Sequence, residues 1–112
     1  MKGTIKNILL EIGIPASIDG FEYLTEAVSF GIKNPQAIHR MMKNLYPEVA
    51  KAVGSSPSKV ERSIRHAINI SWSKDRIIYL NQIFNLNIFK QGDKPSNHEL
   101  IGLLVEKIPQ LA

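Results

Sequence analysis

Apolar residues return every three or four positions along most of this chain, with polar residues between them. Ile5, Ile8, Leu9 and Ile12 keep the i, i+3, i+4, i+7 spacing of one helix face, which predicts a helix over Thr4–Ile12 ended by Gly13. Pro15 interrupts. Asp19 and Glu22 have capping-box spacing ahead of a helix over about Gly20–Phe30, whose inner side carries Phe21, Leu24, Ala27 and Val28, with Gly31 as its stop. Asn34-Pro35 opens a further helical stretch with Ile38, Met41, Met42 and Leu45 inward and Arg40 and Lys43 outward. Beyond Trp72, Ser73-Lys74-Asp75 breaks the pattern. A helix over Arg76–Phe84 then buries Ile77, Leu80, Ile83 and Phe84, and Leu86, Ile88 and Phe89 of the irregular stretch after it tuck toward the core. Ser96 and Glu99 form another capping box for a last helix to about Lys107, stopped by Pro109. No alternating strand pattern competes, so the expected fold is an all-α, six-helix single domain spanning residues 1–112.

The segment Tyr46–Trp72 reads as two short helices joined by a tight turn. Pro47 suits a first helical turn, where its missing N–H has no partner to lose. Val49, Ala50 and Val53 form a short apolar stripe, and Gly54 can adopt the left-handed conformation that ends a helix. Ser56 is the preferred cap of the next helix, with Pro57 at its first position; Ser58, in S-x-x-E capping-box spacing with Glu61, is the rival cap. At about 100° per residue, Val60, Ile64, Ala67, Ile68 and Ser71 share one side. Ser58, Arg62, Arg65 and Asn69 cluster within roughly 60° on the other. Lys59, Glu61 and His66 flank them.

That division suits a helix-turn-helix, over about residues 47–72, whose second helix reads DNA. One side seats the helix while the other presents Arg, which forks onto guanine O6 and N7, and Glu, which accepts from cytosine N4. The expected base readers are Glu61, Arg62 and Arg65. Ser58, Lys59, His66, Asn69, Lys51 and Lys74 are the expected backbone or flanking contacts. The competing reading is a merely solvated charged face, with the arginines paired to Glu61 or to distant acids.

Charge strengthens the first reading. The formal net charge is only +4, but it is unevenly spread. Residues 1–32 hold Lys2 and Lys6 against Glu11, Asp19, Glu22 and Glu26, a net −2; residues 33–76 hold nine Lys and Arg against Glu48, Glu61 and Asp75, a net +6; residues 77–112 balance. Positive charge therefore gathers around the reading helix, where phosphates would be drawn and salt would weaken them. With no cysteine, there is no disulfide, thiolate metal site or cysteine nucleophile. The three histidines lack partners at metal-ligand spacing, no phosphate-binding glycine loop is present, and the carboxylates are scattered. No cofactor, metal or catalysis is expected. Trp72 and the Met41/Met42 pair are assigned to the core. No apolar run approaches the ~20 residues of a membrane span and no signal peptide is evident; a cytoplasmic protein is expected.

The run LYPEVAKAVGSSPSKVERSIRHAINISWS closely resembles the helix-turn-helix of the stage-zero sporulation protein A family, regulators of endospore formation. Val60–Ile68, V-E-R-x-I-R-H-A-I, is its most specific part. Glu11–Ala16 and Gly20–Leu24 near the N-terminus, and Lys94–Asn97 with Glu99–Ile101 near the C-terminus, resemble the same effector domain. The resemblance implies a six-helix domain that binds double-stranded DNA at boxes similar to TGTCGAA, through Glu61, Arg62 and Arg65 in the major groove. It also implies tandem binding of neighbouring copies and contact with a sigma subunit of RNA polymerase. Family members normally carry a receiver domain, and none is expected within these 112 residues, which read either as an excised effector domain or as a short paralogue; the stretch between Lys74 and Lys90 departs from the family's G-N-I-D-S-I-x-S-L-F-G-Y-T, and Asn69 stands where an acid is usual. Those departures motivate a second reading: a short interaction module that modulates a full-length regulator or the polymerase.

Overall fold

The computed structural model describes residues 1–111. Helix α1, Lys2–Glu11, starts two residues before the expected Thr4 and buries Ile5, Ile8 and Leu9. Gly13 then turns the chain at φ +84°, and a side chain there would crowd the stems of Lys74 and Arg76 at 3.0 Å. Helix α2, Asp19–Lys33, is longer than expected. It runs through Gly31 because this position is a contact rather than a stop: an added Cβ would lie 2.7 Å from Val105 Cγ2. The expected Asp19–Glu22 capping box does not form. Ile18 is the cap residue, with no side-chain bond, and the Asp19 carboxylate faces Lys59 Nζ at 3.6 Å.

The stretch opened by Pro35 is helical but not α. It is a 3₁₀ segment, Pro35–Arg40, followed by one wide π turn, Met41–Leu45. The change of pitch breaks the phase of the i, i+3, i+4 stripe, so Met41 and Leu45 are buried while Met42, expected inside, is 55% exposed. Helices α3, Tyr46–Val53, and α4, Pro57–Ser73, follow. Asp75 adopts φ 57° and ends that run. Helix α5 is only Tyr79–Phe84, because Arg76–Ile78 are spent in turns. In the following loop, Asn81 Oδ1 accepts from the Ile88 and Phe89 amides at 3.2 and 3.1 Å, and Asn81 Nδ2 donates to the Phe89 carbonyl at 2.8 Å. That clamp leaves Leu86 and Phe89 partly buried but turns Ile88 out at 57% exposure, against expectation. Helix α6, Asn97–Lys107, begins with the expected capping box: Ser96 Oγ accepts from the Glu99 amide, and Glu99 Oε1 accepts from the Ser96 amide. A 3₁₀ turn, Ile108–Leu111, closes the chain.

Helix α2 is the spine, and α1, α3, α4 and α6 all pack against it. Ile5, Leu24, Leu45, Ile64, Leu80, Leu100 and Leu104 are fully enclosed. The described residues contain six α-helices and no strand: the fold is all-α. No helix among them is long and apolar enough to cross a membrane.

Candidate nucleic-acid interface

The turn between α3 and α4 is built as its residues dictate. Gly54 takes the left-handed conformation, φ 69° and ψ 43°, and the Ser55 amide closes on the Ala50 carbonyl at 2.9 Å. Ser56 caps α4, its Oγ accepting from the Lys59 amide at 3.2 Å, with Pro57 at the first helical position. The rival box at Ser58 does not form, because Ser58 already lies inside the helix. Its carbonyl receives Arg62 Nε at 3.4 Å.

All five residues expected inside, Val60, Ile64, Ala67, Ile68 and Ser71, are buried. Gly20 of α2 lies tight against α4: an added Cβ would sit 2.3 Å from the Ser63 carbonyl oxygen. The missing side chain lets α2 lie directly on α4, so α4 is seated backbone to backbone.

The outer strip stands in solvent: Ser58, Arg62, Arg65 and Asn69 are exposed. Arg65 Nη1 lies 3.3 Å from Glu61 Oε1, one helical turn back. An exposed i, i+4 pair of this kind contributes only about 0.3–0.5 kcal/mol, so it orients the arginine without committing it. Lys59 and His66 are exposed on one flank, beside Asp19, Gly20 and Arg62. Lys51 lies on α3 and pairs with Glu48 at 3.1 Å. Lys74 is turned away from the strip: its Nζ donates to the Gly13 carbonyl at 2.7 Å and ties the end of α4 to the turn after α1.

On the other flank, an open groove of about 770 Å³ runs beside Arg65 and Asn69, with Arg40, Met42, Tyr46 and Lys94 among its walls. Asn97 spans its floor. Its Nδ2 donates to Tyr46 Oη at 3.2 Å and to the Glu61 carbonyl at 3.1 Å, fastening α6 to both α3 and α4. Burial pushes the Tyr46 hydroxyl above its ordinary pKa of 10.0; the Asn97 bond opposes this and the Glu61 charge adds to it.

Sequence reasoning passed over three residues here. Trp72, assigned to the core, is 41% exposed. Its Nε1 donates to the Gly92 carbonyl at 3.0 Å, and Lys94 Nζ stands 4.7 Å over its ring. Lys94 Nζ also donates to Asn69 Oδ1 at 3.0 Å. Lys94 and Asn97 were legible only as part of a stretch resembling the family, and Asn97 also as part of a capping sequence. All three owe their positions to contacts across 20 to 51 residues, which no local periodicity carries. A family model described as sporulation initiation factor Spo0A C terminal matches residues 5–108.

Proposed function

The chain belongs to the Spo0A C-terminal family, a family of DNA-binding effector domains of sporulation regulators, and from that premise we propose that α4 lies in the major groove and reads TGTCGAA-like boxes. One observation supports this most: Arg62 and Arg65 stand exposed on a helix whose opposite face is wholly buried. Arg62 and Arg65 fork onto guanines, and Glu61 orients Arg65 or accepts from a cytosine. Lys59, Ser58, His66 and Lys51 face the phosphates, and Asn69 reaches a base or a phosphate. Lys74 is left out because its ammonium turns to the Gly13 carbonyl, on the side of α4 away from the strip. Two partners extend the proposal: a second copy bound in tandem on adjoining boxes, and a sigma subunit of RNA polymerase.

Gel-shift titration on a TGTCGAA-containing duplex and a scrambled one, at two salt concentrations, tests the reading. Arg62→Ala is expected to remove roughly 1–3 kcal/mol of discrimination at one base position. Lys59→Ala is expected to weaken both duplexes alike and flatten the salt dependence by about one unit of log–log slope. Equal losses on both duplexes for Arg62→Ala would remove it from the readers. A duplex with two adjoining boxes that binds no more cooperatively than one box would remove the tandem arrangement.

A further inference from the structure

A helix in the major groove lies between two phosphate backbones, so its flanks need cations on both sides. On one flank α4 supplies Lys59 and His66 itself. On the other it supplies Glu61, a carboxylate, and Arg65, which pairs with that carboxylate and is assigned to a base. We infer that Lys94, carried by the loop ahead of α6, is the phosphate-binding group of this second flank, and that Trp72 is the positioning residue that holds it there. The inference rests on the DNA reading and adds to it a contact from outside the helix-turn-helix.

Three observations carry it. First, Lys94 lies against the reading strip, since its Nζ donates to Asn69 Oδ1 at 3.0 Å. Second, its charge is not spent on an acid. Among the described residues Lys2, Lys51, Lys59 and Arg65 each face a carboxylate, whereas the acids nearest Lys94 in sequence are turned to amides: Asp93 accepts from the Lys90 N–H at 2.8 Å and Glu99 from the Ser96 N–H at 2.9 Å. Third, Lys94 is held in place. The Trp72 ring attracts the ammonium from 4.7 Å, and the Trp72 indole N–H grips the same loop at the Gly92 carbonyl. One donor on Asn69 leaves two N–H groups for a phosphate. A lysine ordered beforehand loses less freedom on binding than one swinging free.

The test measures affinity for the TGTCGAA-containing and scrambled duplexes over a salt series, with the unaltered chain, Lys94→Gln, Trp72→Leu, Trp72→Phe and the Lys94→Gln/Trp72→Leu pair. Thermal melts check folding. Lys94→Gln is expected to lower both affinities by the same factor and to reduce the log–log salt slope by about 0.9. Trp72→Leu is expected to lower affinity when Lys94 is present and to add nothing once it is gone, while Trp72→Phe, which keeps a ring, recovers part of the loss. An unchanged slope for Lys94→Gln overturns the inference while leaving the reading by α4 standing. Equal losses for Trp72→Leu in both backgrounds overturn the positioning role. If the unaltered chain binds neither duplex, the DNA reading falls and takes this inference with it.

Discussion

Ser71 lies on the inner face of α4, fully buried, and its hydroxyl finds no hydrogen-bond partner among the described residues. Burying an unpaired hydroxyl costs about 1–3 kcal/mol against leaving it in water, and removing the oxygen leaves only a small void. Ser71→Ala is therefore expected to make the domain more stable, by up to about 1 kcal/mol. Urea unfolding at constant m-value would measure this, and a clear loss of stability would mean that the hydroxyl is satisfied in solution. The side of the helix on which Ser71 falls was legible from its spacing; its missing partner was not. The same division separates Met41 from Met42 and misplaced Trp72. Periodicity assigns a side chain to a face only while the pitch stays α, and it cannot see a lysine arriving from another loop.

At the scale of elements, helix signals that depend on neighbouring residues were legible: the Gly54 turn, the Ser56 cap and the Ser96–Glu99 box all formed where their sequences placed them. Signals that tertiary contact could override were not. Gly31 became a crossing point, and Asp19 turned to Lys59 rather than to its own helix. Gly20 shows how magnitude decides such cases. Within a helix, Gly→Ala gains about 1 kcal/mol of intrinsic propensity. At Gly20 the new methyl would stand 2.3 Å from the Ser63 carbonyl oxygen and 2.8 Å from Ala67 Cβ. A backbone atom cannot step aside, so α2 and α4 must part, and overpacking typically costs 1–3 kcal/mol, roughly, or more. Gly20→Ala is expected to lower stability by at least about 1 kcal/mol and to weaken DNA binding because α4 loses its seat. Gly31→Ala, which meets the movable end of Val105, is expected to cost less. Denaturant midpoints of the two variants decide the order; a Gly20→Ala variant as stable as the parent would show that the two backbones are not in contact.

Over the whole molecule, the acidic first third and basic middle third were countable in advance, and so was the all-α class. What the chain could not announce is that, among the described residues, the two clearly shifted ionisable groups meet at one joint, where the start of α6 abuts α3 and α4. Glu99 sits below its ordinary pKa of 4.5, held ionised first by the Ser96 amide and then by the Ser96 hydroxyl. Its contribution is complete above 4.5 and is lost as pH falls through the lowered value, because there the unfolded chain binds the proton more readily. Tyr46 sits above 10.0, chiefly through burial. Its contribution is complete below 10.0 and is lost as pH rises through the raised value, because there the unfolded chain releases the proton first. The stability of the domain is thus expected to fall on both sides through this joint. Midpoints of thermal unfolding across pH should show the acid limb flattened by Glu99→Gln, which keeps a side-chain oxygen for the Ser96 amide, and the alkaline limb flattened by Tyr46→Phe. Each variant should leave the opposite limb unchanged. Limbs that run parallel to the parent in both variants would place the pH dependence elsewhere in the fold. The same joint carries the Asn97 bond to the Glu61 carbonyl, so a domain loosened there by acid or alkali should also hold α4 less firmly.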